Sequence, residues 1–360
     1  MENPGKSGRD SLRILITGHD GYIGSVMVPV LRAAGYEVVG IDAYFFSNYR
    51  YQTRSTRILE GQQDIRDIAP EEFEGYDAVV HLAALSNDPL SELNPELTFE
   101  INHKASVKLA ELAKRAGVQR FLYASTCSVY GVANQDEMAT EDTSMRPLNP
   151  YAISKVRVED DLSQMADDTF SPVYLRNATA YGWSPNYRSD LVVNNLSAWA
   201  YTTGEIRIMS DGTPWRPIIH VQDIANAFLA ALKAPREVIH NQAFNVGINS
   251  ENYQVRDIAA IVQGGFGGSK VTYNEHGSPD PRSYRVDFSK IARTLPEFKP
   301  TWNARLGVDE LRDAYQQTGL TYKEFTGAKY VRLARLNALI REGRLDSNLY
   351  WKDKVTHPKA

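Results

Sequence analysis

The chain has 360 residues, 42% of them apolar and 23% charged, which is the composition of an ordinary globular protein with enough chain for one large domain or two. A net charge of −4 with no long basic run excludes a protein built to grip a nucleic-acid backbone, and no apolar stretch approaches the roughly 20 residues of a membrane span. The single cysteine, Cys127, excludes an intramolecular disulfide and a multi-thiolate metal site, so no metal is expected and the cytoplasm is the default compartment.

Residues 1–10 are polar, lack the apolar core of a signal peptide, and are expected to be a disordered N-terminus. Leu12 to Ile16 is a short apolar run suited to a buried parallel strand. It ends in Thr17-Gly18-His19-Asp20-Gly21-Tyr22-Ile23-Gly24, followed by a helical pattern (Ile23, Met27, Val30, Leu31) that stops at Gly35. A second strand, Glu37 to Ile41, is closed by Asp42, 18 residues past Gly24. Strand, glycine turn, helix, strand and terminal acid in that order make a dinucleotide-binding unit. Gly18 permits the tight turn, Gly21 lets a pyrophosphate approach the backbone, and Gly24 lets helix and strand pack closely. Asp42 sits where a carboxylate accepts the adenosine ribose hydroxyls and repels a 2′-phosphate.

Residues 43–57 are too aromatic for a linker and read as a loop folding over the nucleotide. Ala78 to Ala84 is another buried strand, whose small end residues let the backbone approach a ligand; His81 within it reads as a satisfied core histidine. Pro95 to Gly117 has the spacing of one long helix, and Arg120 to Ser125 that of a further strand ending in Thr126-Cys127-Ser128-Val129-Tyr130-Gly131. Asn149-Pro150-Tyr151-Ala152-Ile153-Ser154-Lys155 opens the next helix, and the sheet resumes at Val173 to Arg176. This alternation predicts an α/β fold with a Rossmann-like, doubly wound parallel sheet.

Beyond Pro185 the rhythm changes. A helix over Leu191 to Tyr201, strands at Ile206 to Met209 and from Trp215, a helix to Ala234 and a strand at Ala243 to Gly247 are expected. Then come a helix from Val255 to Val262, a loose loop over Gly264 to Gly268, a strand near Val271, and helices over Leu306 to Gln317 and Ala328 to Gly343. The expected organisation is a dinucleotide-binding domain of residues 11–185 plus about 217–247. A smaller, interleaved α/β domain takes about 186–216 and 248–345.

Tyr151 and Lys155 stand four apart, on one face of a helix. A tyrosine that exchanges a proton with a sugar hydroxyl near neutral pH needs its phenolate stabilised, and a nearby ammonium does that. Thr126 can bond the same substrate oxygen. On these motifs the chain resembles the extended short-chain dehydrogenase/reductase family, of the NAD-dependent nucleotide-sugar epimerase/dehydratase type. The landmarks are Gly18/Gly21/Gly24, Asp64-Ile65, Leu82-Ala83-Ala84, Thr126 to Gly131, Tyr151/Lys155, Arg176, Arg216 to Asp223, Pro279-Asp280-Pro281-Arg282 and Ser289-Lys290-Ile291.

The resemblance implies NAD as cofactor and a nucleotide-diphosphate sugar as substrate, with Thr126, Tyr151 and Lys155 catalytic. NAD contacts are implied for Gly18, Gly21, Tyr22, Ile23, Gly24, Asp42, Asp64, Ile65, Leu82, Ala83, Ala84, Asn102, Ala124, Tyr151 and Lys155. Substrate contacts are implied for Thr126, Thr179, Asn194, Asn195, Arg216 and Arg282, the two arginines at the diphosphate. A homodimer is implied through the helices over Pro95 to Gly117 and Tyr151 to Ala166. The 4,6-dehydratases carry acids where Cys127-Ser128 stand here, and decarboxylases a Glu at the Ser128 position, so both reactions are disfavoured. Cys127 falls one residue before the position of a cysteine acid/base in some epimerases and is expected to point away. Thr179 replaces an asparagine common in 4-epimerases, and Arg216-Pro217 replaces Arg-Asp. The leading reading is an epimerase working by transient oxidation through a keto-sugar, at C4. The alternative is a 4-ketoreductase, with a dehydratase or a non-catalytic NAD-binding protein behind them. Tyr322 to Ala360, with Tyr330, Leu333, Leu336, Leu339 and Ile340 at helical spacing, is read as packing rather than as a cap or subunit contact.

Overall fold

Ile14, Leu15 and Ile16 lose nearly all contact with water because their strand is paired on both edges and covered on both faces. The computed structural model describes residues 11–47, 59–86, 91, 94–132, 137–273 and 282–353. The expectations for residues 1–10, for residues 48–57 of the nucleotide loop and for Pro279-Asp280-Pro281 lie outside the described residues.

The main sheet has seven strands: β1 (Arg13–Thr17), β2 (Glu37–Asp42), β3 (Leu59–Gln62), β4 (Ala78–His81), β5 (Arg120–Thr126), β6 (Ser171–Asn177) and β7 (Gln242–Val246). Their order is β7-β6-β5-β4-β1-β2-β3, and every pairing is parallel. The strand order reverses between β1 and β4, which opens a crevice at their carboxyl ends, the place where doubly wound sheets hold ligands. Gly18, Asp42, Leu82 and Thr126 all fall at such ends.

Helices Gly24–Ala33 and Val221–Lys233 cover one face through Met27, Leu31, Ile224 and Phe228. The other face is covered by Ala105–Arg115 and Pro150–Met165 through Leu109, Leu112, Val158 and Leu162. The single helix expected over Pro95 to Gly117 is in fact three pieces. Pro95–Phe99 and Ala105–Arg115 are α-helical, and Glu100–Lys104 between them is a π-helical turn. One widened turn leaves the hydrophobic spacing almost unchanged, so periodicity does not reveal it.

A second core gathers Tyr181, Val193, Leu196, Ile206, Ile258, Val262, Val308, Leu311 and Tyr315. It sits under a three-stranded sheet (Thr179–Tyr181, Trp215–His220, Asn252–Gln254) and a parallel pair (Glu205–Ile208 with Lys270–Tyr273). Its helices are Val192–Thr203, Val255–Gly265 and Ala304–Thr318. The loop expected from Gly264 therefore starts later, since the helix carries through Gly264 and Gly265. The last helix, Arg332–Arg341, begins four residues after Ala328. It does not join the second core as the expected domain limits imply. Leu336 and Leu339, with Leu345 and Leu349, pack among Ile41, Ile65, Ile68 and Phe73 of the first. An apolar stripe says that a helix is buried but not against which core. No helix among the described residues is long and apolar enough to cross a membrane.

Candidate active site

The turn after β1 is set by glycine at two points. Gly18 adopts φ +75°, and a Cβ there would lie 2.8 Å from the Ala83 nitrogen. A Cβ on Gly24 would lie 2.2 Å from the Gly18 carbonyl oxygen. The backbone is thereby folded tightly against the end of β4, and helix Gly24–Ala33 starts at the crevice. Asp42 closes β2 with its carboxylate accepting from the Asp20 and Tyr44 backbone N–H groups at 3.1 and 2.8 Å.

These ends line one cleft of about 690 Å³, within the range of sites that enclose a small ligand. Of the residues implicated by sequence, the cleft is lined by Gly18, Gly21, Tyr22, Ile23, Gly24, Asp42, Asp64, Ile65, Leu82, Ala83, Ala84, Ala124, Thr126, Tyr151, Lys155, Thr179, Asn195, Arg216 and Arg282. A glycine cradle that a side chain would fill, a helix N-terminus and a carboxylate at the end of β2 fit a dinucleotide.

Two expected contacts do not reach the cleft. Asn102 lies in the π-helical turn, where its amide accepts from Leu85 N at 2.8 Å and donates to the Leu85 carbonyl at 3.0 Å. It holds the cleft-lining segment from behind. Asn194 is fully buried; its Oδ1 accepts from Gly182 N at 2.9 Å and its Nδ2 donates to the Arg188 carbonyl at 2.9 Å. Its amide is consumed in holding the chain between Gly182 and Arg188, so the expected substrate contact is corrected to a structural one. Asp64 lines the cleft with its carboxylate forked to Arg66, at 2.9 and 2.7 Å.

The reacting end is built on β5 and helix Pro150–Met165, whose N-cap Asn149 accepts from Ala152 N at 2.8 Å. Lys155 is buried, donates Nζ to the Ala124 carbonyl at 2.7 Å, and lies 5.7 Å from the Tyr151 ring and 4.6 Å from that of Tyr123. Burial pulls its pKa down to about 7, with Glu159 opposing the fall. Removal from water pushes Tyr151 up to about 12, while a hydrogen bond with Thr126 and the charge of Arg188 favour its phenolate. Glu159 forks onto Arg176 at 2.7 Å and accepts from Ser125 at 2.5 Å, which fixes the floor beneath β5.

Cys127 faces the other way. It is buried with Sγ donating to the Arg176 carbonyl at 3.1 Å, does not line the cleft, and burial pushes its thiol up. Ser128 does line the cleft, with Oγ 3.2 Å from the Tyr284 hydroxyl. His81 is buried, with Thr17 at 2.6 Å and Ser106 at 2.7 Å on its two ring nitrogens. Among the lining residues that the sequence reading did not single out are Ser86, Arg188, Tyr284 and Arg332. Arg188 forks onto Asp190 at 3.0 and 2.6 Å and reaches Ser86 Oγ at 3.1 Å. An arginine two residues from an aspartate on a loop carries no periodic signal, and reads as solvated surface until the fold buries it. No cluster of three or more metal-ligating side chains occurs among the described residues.

The model of the NAD dependent epimerase/dehydratase family matches residues 14–247. UDP-glucose 4-epimerase 4 of Oryza sativa subsp. japonica is 29% identical over 332 residues, spanning 84% of this chain and 88% of its own. UDP-glucose 4-epimerase of Neisseria gonorrhoeae is 32% identical over 289 residues, spanning 71% and 83%. Among solved structures, UDP-glucuronic acid 4-epimerase from Bacillus cereus, in complex with UDP-glucuronic acid and NAD, superposes with a TM-score of 0.74 at 25% identity. That match covers 85% of this chain and all of the other.

Proposed function

The chain belongs to the NAD dependent epimerase/dehydratase family, and from that premise we propose that it is an NAD-dependent nucleotide-sugar epimerase, inverting C4 through a keto-sugar. The observation that carries the reading is the convergence of Thr126, Tyr151 and Lys155 on the cleft that begins at the glycine turn. NAD, when bound, supplies a hydride acceptor that later returns the hydride. Tyr151 takes the proton of the sugar hydroxyl and gives it back. Thr126 bonds the same oxygen and the Tyr151 hydroxyl, and so fixes their separation. Lys155, tied to the Ala124 carbonyl, keeps positive charge beside the phenolate. The Gly21-Tyr22-Ile23 backbone cradles the dinucleotide phosphates, and Asp42 accepts ribose hydroxyls. Asp64 and Ile65 take the adenine edge, and Leu82, Ala83, Ala84 and Ala124 flank the dinucleotide. Arg216 and Arg282 pair with the diphosphate of the nucleotide sugar; Thr179 and Asn195 meet its sugar end.

Elimination of water is not favoured. Cys127 and Ser128 offer no carboxylate, and Asp190, which lines the same cleft, is forked to Arg188. The first core and its sheet form the NAD half, and the second core the nucleotide-sugar half. A homodimer through the helices over Pro95 to Gly117 and Tyr151 to Ala166 belongs to this reading on the family resemblance; within the chain His103 and Asp161 tie these helices together at 2.6 Å. The free, buried cysteine fits a cytoplasmic setting.

The test is to denature purified protein, quantify released NAD, and screen UDP-, dTDP- and GDP-sugars for inversion at C4. Stoichiometric NAD with interconversion of a C4 pair is expected, abolished in Tyr151→Phe. Protein that arrives empty and reduces a 4-keto sugar with NADH overturns the epimerase in favour of the ketoreductase. Failure to bind either cofactor form sinks both.

A further inference from the structure

Arg332 is a charge in the cleft wall that the proposed chemistry leaves unused. It belongs to the C-terminal helix, beyond the segment matched by the family model. The residue is only 5% exposed, yet it lines the cleft. Its guanidinium lies 3.8 Å over the Phe46 ring, and Nη2 donates to the Asn186 Oδ1 and carbonyl oxygen at 3.0 and 3.2 Å. Among the described residues, Nε and Nη1 find no acceptor and no carboxylate lies within ion-pair distance. Buried guanidinium groups are ordinarily paired, because the loss of hydration is large. Burial pulls its pKa down to about 9; Arg188 adds to the fall, and Asp190 and Asp42 oppose it.

The same contacts set Arg332 close to the glycine turn. Asn186, which holds Arg332 on one side, donates Nδ2 to the Asp20 carbonyl at 2.5 Å. One side chain therefore separates Arg332 from the glycine turn, whose Gly21, Tyr22 and Ile23 line the same cleft. Asp42 is felt electrostatically, whereas neither Arg216 nor Arg282 is among the charges acting on it. We propose that Arg332 is the protein's counter-charge for the diphosphate of the bound dinucleotide, so that the C-terminal helix completes the cofactor site. This rests on the NAD reading above. The shared chemistry is a diphosphate, and the nucleotide sugar carries one too, so the test separates the two.

Full-length protein freed of co-purified nucleotide is titrated with NAD, ADP-ribose, adenosine and UDP, for wild type, Arg332→Met and Arg332→Lys. In Arg332→Met the affinity for NAD and ADP-ribose is expected to fall roughly 10- to 100-fold, the scale of a charge-assisted hydrogen-bond pair. Binding of adenosine, which has no phosphate, and of UDP stays within twofold (about the scatter of such titrations). Melting of the ligand-free Arg332→Met protein is expected at or above the wild-type temperature, since a desolvated charge has gone. Should Arg332→Met not fold, Arg332→Lys decides: a point charge without the fork loses roughly 3- to 10-fold for NAD. Unchanged NAD affinity in a folded variant overturns the proposal and leaves the NAD reading intact. A loss confined to UDP overturns it by assigning the charge to the other diphosphate. Wild-type protein that binds no NAD overturns the NAD reading and this proposal with it.

Discussion

Lys155 holds its ammonium 5.7 Å from the ring of Tyr151 while the Ala124 carbonyl anchors it at 2.7 Å. The anchor holds the Lys155 nitrogen on the Tyr151 side of the cleft instead of letting it swing to solvent. Burial moves the two groups in opposite directions, the lysine down to about 7 and the tyrosine up to about 12, which is the pattern that marks a functional-site candidate.

The depressed lysine has a consequence for stability. Its pKa in the fold is about 7 against about 10.5 unfolded, so between those values the unfolded chain holds a proton that the native one lacks. Stability of the ligand-free protein therefore rises with pH across that window, and the penalty of the buried charge is fully present below it. His81, brought down to about 3, titrates below pH 6.5, and Tyr151 acts above 10, so neither intrudes between pH 7 and 9.5. Melting temperatures of wild type and Lys155→Met over that range are expected to converge as pH rises, wild type climbing the more steeply. Parallel profiles overturn the assignment.

The thiol beside the reacting end is expected to be a bystander. Cys127→Ala keeps turnover and KM within about twofold of wild type, and thiol reagents fail to inactivate the native enzyme, because a buried, protonated sulfur bonded to the Arg176 carbonyl is inert. A large loss of kcat with normal melting would return Cys127 to the chemistry.

The cofactor turn and the Tyr151/Lys155 pair were legible because their chemistry is local. Glycine, acid and helix spacing within thirty-odd residues leave little for tertiary structure to decide. The alternation of strand and crossover fixed the parallel sheet for the same reason. Asn194 and Asn195 show the limit. Adjacent amides on one helix read alike, yet one is swallowed by the Gly182–Arg188 segment and the other lines the cleft. The helix rotation that separates them is set by the second core. Arg332 was hidden more deeply, since an arginine at the start of an amphipathic helix reads as solvated, and only docking against the first core buries it. Asn102 fell between: its helix was visible, but the π-helical turn that swings it onto Leu85 was not.

Asn194 predicts a separation of stability from substrate affinity. Asn194→Ala strands the Gly182 N–H and the Arg188 carbonyl in a dry interior, at a cost of about 3 kcal/mol in unfolding free energy. At a temperature where the variant is still folded, KM for the nucleotide sugar is expected within about twofold of wild type. Denaturant unfolding and steady-state kinetics check both halves. A raised KM without lost stability would restore the substrate contact.

The two arginines proposed to meet the substrate diphosphate make the opposite forecast. Arg282 lines the cleft beside Arg216, whose Nη1 donates to the Arg282 carbonyl at 2.5 Å. A group that binds the diphosphate equally in ground and transition states affects KM and leaves kcat alone. Arg282→Gln is expected to raise KM for the nucleotide sugar roughly 10- to 100-fold, with kcat within about threefold and NAD content unchanged. A fall in kcat at constant KM would place the arginine at the reacting sugar instead.

The C-terminal helix offers the sharpest choice between core and interface. Leu339 is fully buried, packed with Leu336, Leu345 and Leu349 against Ile41, Ile65 and Phe73. Arg335 donates to the Phe45 carbonyl at 3.1 Å and Trp351 Nε1 to that of Ala43 at 2.6 Å, so the segment is tied to the chain leaving β2. Leu339→Ala opens a cavity in this cluster and is expected to lower unfolding free energy by about 3 kcal/mol. Because the contacts are within one chain, the loss is the same at low and high protein concentration. The ordered backbone after Asp42 is strapped by the same helix, so NAD affinity falls in step with stability. Melting measured across a hundredfold dilution distinguishes the cases: a deficit that appears only on dilution would mean that the helix serves a subunit contact, as mass action requires.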